Sequence, residues 1–330
     1  MRCRELICTL VLLPLLTASL AAAPPPENLL QRANWVRPEI CDGRLVVQNL
    51  RAGQARIAQK PENEDLPRQM LALECDDVRI TLRYEAEDER GAWNLTVTNE
   101  REVTLQRLTF GDEPGEITFR QPLEGDVKLN IRDQHGSHEY AARSLWRLLL
   151  GGDSRCREQT VALLEGLWPR LNLATRISEA RQALLQMATG SQTTQEDRWT
   201  RWIEQLGDES YAVRQAADRR LRDAGRPAAV FLGRLNLAEL DAESRLRIRR
   251  ILADAADDSG DTPQRIALLV EDDSLVWLRL LESTDAAHRA QAREKLMSLT
   301  QRPVEFDPAA DVKVREQQTQ TIREQLTRAE

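Results

Sequence analysis

The chain has little of what most catalytic centres are built from. Among its 330 residues there are three histidines, His135, His138 and His288. None stands beside a glycine-framed serine or a cysteine in a reactive setting, so no nucleophile–base pair is visible in the local sequence. No glycine-rich phosphate loop is present. Aromatic residues make up 4%, and the core must therefore be mostly Leu, Ala, Val and Ile. Beyond the first 22 residues no apolar run approaches the roughly 20 residues a bilayer span needs. Lysine is scarce: Lys60, Lys128, Lys295 and Lys313 against 42 arginines. That ratio reads as the coding bias of a GC-rich bacterial genome. With a net charge of −7, the chain is a poor binder of phosphate backbones, and a nucleic-acid partner is not expected.

What is present begins with MRCRELICTLVLLPLLTASLAAAPPPENL. Arg2 and Arg4, an apolar stretch from Leu6 to Leu16, and small residues at Ser19 and Ala21 are the three parts of a secretory signal peptide. Residues 1–21 are therefore expected to be removed, leaving an exported protein, periplasmic or extracellular, with no membrane span. Three of five cysteines remain after that cut. Export permits a disulfide, and Cys41 and Cys75, each beside an acidic turn-like stretch, are the expected pair. Cys156 falls in a helical pattern and reads as a small buried apolar residue.

The remainder is expected to be α+β in two domains: an antiparallel β-sandwich or open barrel over 22–134, then an α-helical repeat domain over 135–330. In the first part apolar residues alternate, as in Val78-Ile80-Leu82-Tyr84, Trp93-Leu95-Val97 and Val127-Leu129-Ile131, which is the pattern of half-buried strands. The phase slips within 103–110, where Val103 and Leu105 are odd but Leu108 and Phe110 even. A bulge near Gln106 would reconcile them. Residues 132–144 read as a polar turn between the domains, with Ser137 or a neighbour capping the next helix.

In the second part apolar residues recur at three and four, the helical period. One spacing repeats. Leu206, Ser210, Arg214, Ala217 and Leu221 are separated by 4, 4, 3 and 4 residues. Leu237, Asp241, Arg245, Ile248 and Leu252 follow suit, as do Leu281, Asp285, Arg289, Ala292 and Leu296. Leu149, Asp153, Arg157, Thr160 and Leu164 match more weakly. Ser210, Asp241 and Asp285 suit helix N-caps. The residues seven and eleven past the cap share a buried seam. The arginine four past it can lay its methylenes on that seam while its guanidinium reaches out to an acidic or carbonyl group of the neighbouring unit. The cap, Val-Arg, alanine and leucine of 210–221 resemble the HEAT-repeat family, and within it the short bacterial repeats related to phycobilisome-lyase repeats. The resemblance covers about 200–300 and implies stacked helix pairs that bind a protein partner.

Residues with chemistry to offer are few. Asp133, His135, His138 and Glu139 are ligand types, but Gly136 and Ser137 separate the two histidines. No metal, cofactor or catalytic residue is assigned. The leading expectation is an exported, non-enzymatic scaffold with a protein partner. The alternatives are a lipid or small-molecule carrier using a cavity in the β domain, and a metal-dependent enzyme using 132–139.

Overall fold

The computed structural model describes residues 28–327 except 34, 49, 51–54, 60–67, 77–78, 189–194, 234 and 256–259. The expected signal segment lies outside the described residues. The fold is α+β, with strands first and helices after.

Alternation builds the sheet. Strands β3 (Ala55–Gln59), β4 (Arg68–Cys75), β5 (Ile80–Asp88), β6 (Gly91–Thr98), β7 (Glu102–Thr109), β8 (Gly115–Gln121), β9 (Val127–Asp133) and β10 (Gly136–Ala142) form one antiparallel meander in chain order. It is open, since edges β3 and β10 do not pair with each other. Pairing aligns Tyr84, Leu95, Leu105, Phe119, Leu129 and Tyr140 in one row across the sheet. The first five of these are buried and form the floor of the core. Glu85, Asn94, Thr104 and Lys128, on the opposite face, are exposed.

A hairpin of β1 (Arg37–Cys41) and β2 (Arg44–Gln48) closes one side. Buried Gln121 of β8 holds it in place. Leu45 N donates to Gln121 Oε1 at 2.8 Å, and Gln121 Nε2 donates back to Leu45 O at 2.8 Å. The short helix α1 (Leu29–Arg32) is tied to β4 by Leu29 N donating to Gln69 Oε1 at 2.9 Å.

The helices are α2 (Leu145–Gly151), α3 (Ser154–Leu167), α4 (Leu173–Ala188), α5 (Gln195–Gln205), α6 (Tyr211–Asp223), α7 (Gly225–Leu232), α8 (Ala242–Ala255), α9 (Pro263–Val270), α10 (Ser274–Leu280), α11 (Ala286–Thr300) and α12 (Val312–Thr327). Side-chain oxygens of Ser144, Asp153, Thr262, Asp273 and Asp285 accept from backbone N–H groups at the starts of α2, α3, α9, α10 and α11. Such caps satisfy donors that have no partner inside the helix. A smaller apolar cluster is formed by α5–α8 around Leu206, Ala217, Leu221, Leu232, Ile248 and Ile251, with Leu268 of α9. The larger one runs without a break from the sheet through α2–α4 and α9–α12.

Four expectations need correcting. Residues 136–142 are the edge strand β10, paired along its length with β9, so the strands extend past the expected boundary at 134 and Ser137 caps nothing. The apolar core crosses that boundary as well. There is no bulge near Gln106, because β7 stays in constant register with β6 and β8 from one end to the other. Cys41 and Cys75 are not joined: Cys41 ends β1 in the hairpin, whereas Cys75 ends β4 beside Ile80.

Candidate functional site

The repeated arginines were the clearest sequence signal. Asp241 and Asp285 cap α8 and α11: Asp241 Oδ1 accepts from Glu243 N and Ser244 N, and Asp285 Oδ1 from Ala287 N. Ser210 occupies the cap position of α6 without a side-chain hydrogen bond. The seam residues Ala217, Leu221, Ile248, Ala292 and Leu296 are fully buried. Arg214 Nη1 donates to Asp208 O at 2.7 Å and Glu209 O at 2.9 Å. Arg289 Nη1 donates to Ser283 O and Thr284 O, both at 2.8 Å. The acceptors are carbonyls of the turn before each arginine's own helix, and not, as expected, groups of a neighbouring unit. Arg245 forms no such bond among the described residues. Instead, Arg247 on the same helix pairs with Glu243 at 2.7 Å.

A buried acid that the spacing did not reveal joins the two ends of the structure. The side chain of Asp261, just before α9, is wholly buried. Its carboxylate accepts from Asp42 N at 2.8 Å, Gly43 N at 2.7 Å and Trp146 Nε1 at 2.7 Å. Arg265 Nε lies 3.2 Å away, and the Arg265 guanidinium also reaches Asp42. Burial pushes the Asp261 carboxyl above the usual range, outweighing the opposite pull of those donors and of Arg265. The arrangement is a structural tie in which both carboxylate oxygens accept hydrogen bonds.

The remaining feature is a cleft of about 910 Å³ between one end of the sheet and α3. The register explains it. The row next to the core aligns Ala86, Trp93, Arg107, Ile117, Ile131 and His138. In the row beyond, Gly91 pairs with Thr109, Thr109 with Gly115, and Asp133 with Gly136. Three glycines in that outer row leave no side chains to fill the space. Helix α3 borders it. A Cβ placed on its Gly166 would come within 2.9 Å of the Trp93 ring, and its Gln159 lines the cleft.

Arg107 lies half-buried in this cleft, its guanidinium carbon 5.1 Å from the centre of the Trp93 ring. It has no carboxylate or carbonyl partner among the described residues. Burial alone lowers its pKa, the expected direction for a cation removed from water. Nearby, Arg155 of α3 pairs with Asp133 and lies 3.1 Å from His138 Nε2. Slight desolvation raises the Asp133 carboxyl, but the His135 N–H and Arg155 outweigh it and leave it low. The two metal-candidate histidines are not brought together. His135 is exposed in the β9–β10 turn, and His138 of β10 lies against Arg155 of α3. No group of three or more His, Cys, Asp or Glu side chains is gathered for a metal among the described residues.

The chain matches no protein-family model, no curated protein and no solved structure.

Proposed function

We propose that this chain is an exported, non-enzymatic interaction protein whose HEAT-like helical units present a face to a protein partner. The observation that supports this most is the equivalence of Arg214 and Arg289. A repeated sequence position makes a repeated joint, as expected of units built to one plan. Tyr211 of α6 and Leu246 of α8 are 62% and 46% exposed, apolar surface on the helices that carry the repeat. The test is photo-crosslinking in the cell envelope from residue 211 or 246, with residue 83 on the outer face of the sheet as control. A discrete protein adduct from the helical positions and none from the control is the expected result. Equal, diffuse labelling from all three would end the proposal.

A second reading, a small-molecule carrier, is favoured by the cleft. Its volume falls within the roughly 300–1,000 Å³ of small-ligand sites. Mass spectrometry of the intact folded protein should then show a bound small molecule that is lost on denaturation.

A further inference from the structure

We propose that the cleft between the sheet and α3 binds a small organic carboxylate with an apolar body, whose anionic end is held by Arg107 beside Trp93. This rests on the carrier reading and is independent of the helical scaffold.

Arg107 is a half-buried cation of the cleft that meets no carboxylate or carbonyl among the described residues. Arg147, Arg155, Arg176 and Arg265 are partly or largely buried too, and each meets a carboxylate: Asp273, Asp133, Glu39 and Asp261 respectively. Arg107 meets only an aromatic face. Stacking on an indole leaves the edge donors of a guanidinium available, and their planar fork matches a carboxylate in two parallel hydrogen bonds. A strand position in phase with buried Val103 and Leu105 is an unfavourable place for a cation, and a bound anion would remove that cost.

The surroundings narrow the ligand. Trp93, Ile117 and Ile131 share the row with Arg107 and offer apolar surface. Asp88, Asp112 and Glu113 lie among the residues lining the cleft. Arg90 and Arg132 line the cleft with Arg107, but acids outnumber them, and that excess of negative charge disfavours polyanions and tolerates one compact charge. A monocarboxylate with an aliphatic or aromatic body satisfies both features. Phosphate esters and nucleic acids do not.

The experiment titrates the full folded chain by calorimetry with octanoate and 4-phenylbutyrate, with their neutral amides, and with inorganic phosphate. At least one carboxylate should bind, and its amide should bind about tenfold more weakly or worse, since a charge-assisted bond is lost. Arg107→Gln should abolish that preference, and Arg83→Gln, on the outer face of the sheet away from the cleft, should keep it. If Arg107→Gln does not fold, Arg107→Lys retains the charge without the fork and should lower carboxylate affinity while leaving amide affinity unchanged. The aliphatic and aromatic probes distinguish the two kinds of body. Equal affinity for acid and amide would overturn the proposal yet leave a neutral-ligand carrier standing. Tighter binding of phosphate than of either carboxylate would also overturn it. No binding by any probe would sink it, and the intact-protein mass measurement would then decide the carrier reading separately.

Discussion

Arg214 and Arg289 stand in the same relation to their own helices. Each lies four residues past its cap position, and each uses Nη1 to hold the carbonyls six and five residues before it. The guanidinium thus closes the turn that leads into the helix while its stem lies along the buried seam. Arg289 does more: Nε also donates to Pro308 O at 2.8 Å, binding the segment ahead of α12. Helix α6 packs most on α5 and also on α8, and α11 packs most on α10 and also on α4. In both cases the arginine's helix lies chiefly against the helix before it.

The three arginines should differ in weight. Arg289 is 6% exposed, and Arg289→Met should cost about 2–3 kcal/mol by removing the donors that hold the part-buried carbonyl contacts at Ser283, Thr284 and Pro308. Arg214 is more open, and Arg214→Met should cost about 1 kcal/mol or less. Arg245→Met should lie within about 0.5 kcal/mol of wild type. Urea unfolding followed by circular dichroism measures all three. Equal losses would contradict the difference seen in the structure.

Asp261→Ala should be among the most damaging single changes, about 3–5 kcal/mol, because the Asp42 and Gly43 N–H groups and the Trp146 indole lose their acceptor and Arg265 keeps only Asp42. Gly225→Ala attacks the same tie from the other side. Gly225 has φ +64°, and a Cβ there would meet Arg265 Nε at 2.3 Å. Left-handed backbone disfavours alanine by about 1 kcal/mol, and displacement of Arg265 adds to that. If Gly225→Ala unfolds at the wild-type urea midpoint, the tie contributes nothing measurable.

Acid should loosen the helix caps. Hydrogen bonds from Ser244 and from the Ala287 N–H hold the Asp241 and Asp285 carboxyls below their ordinary value of 3.8. For a lowered carboxyl the stabilisation is present above the ordinary value and is lost as pH falls through the lowered one. Asp261 runs the other way: its raised carboxyl contributes most below 3.8, and that contribution is lost as pH rises through the folded value. Asn caps nearly as well as Asp and does not titrate. The Asp241→Asn, Asp285→Asn double variant should thus keep its stability at pH 7 and lose less of it on acidification. Unfolding midpoints taken across the acid range check this, and an unchanged acid profile would count against it.

Thiol chemistry should separate the cysteines. Burial, aided by Asp153, pushes the Cys156 thiol up to about 12, so little thiolate is available for alkylation. Iodoacetamide at mildly alkaline pH should label half-buried Cys75 well before Cys156. Non-reducing peptide mapping should find no Cys41–Cys75 bridge.

Strands with one buried face were legible because alternation directly reflects burial: Leu82, Tyr84 and Ala86 in β5, and Val127, Leu129 and Ile131 in β9. The helices were legible through their period and their caps. Strand β10 was not, since Gly136–Ala142 is an edge strand with few apolar residues to alternate. The break of phase in β7 is visible in the sequence, but its cause is not a bulge. The strand keeps its register, and an inner position is filled by Arg107 in place of an apolar residue, with Leu108 at the neighbouring outer position. Sequence rules tend to fail where a residue serves something other than the fold, and the failure at Arg107 marks the cleft. Asp261 left no such trace, because its partners lie far away in the chain and no local period carries that information.

That remoteness has a consequence for how the molecule is assembled. The carboxylate that receives Asp42 N stands 219 residues downstream. A chain emerging from the ribosome would expose the 37–48 hairpin long before its acceptor exists. The Gly43 N–H and the Trp146 indole must wait in water until most of the helices have been made. Completion is therefore a late event that draws the front of the polypeptide onto its last third. Fragments stopping short of residue 261 should persist as loosely organised, protease-sensitive species, however well their sheet has formed.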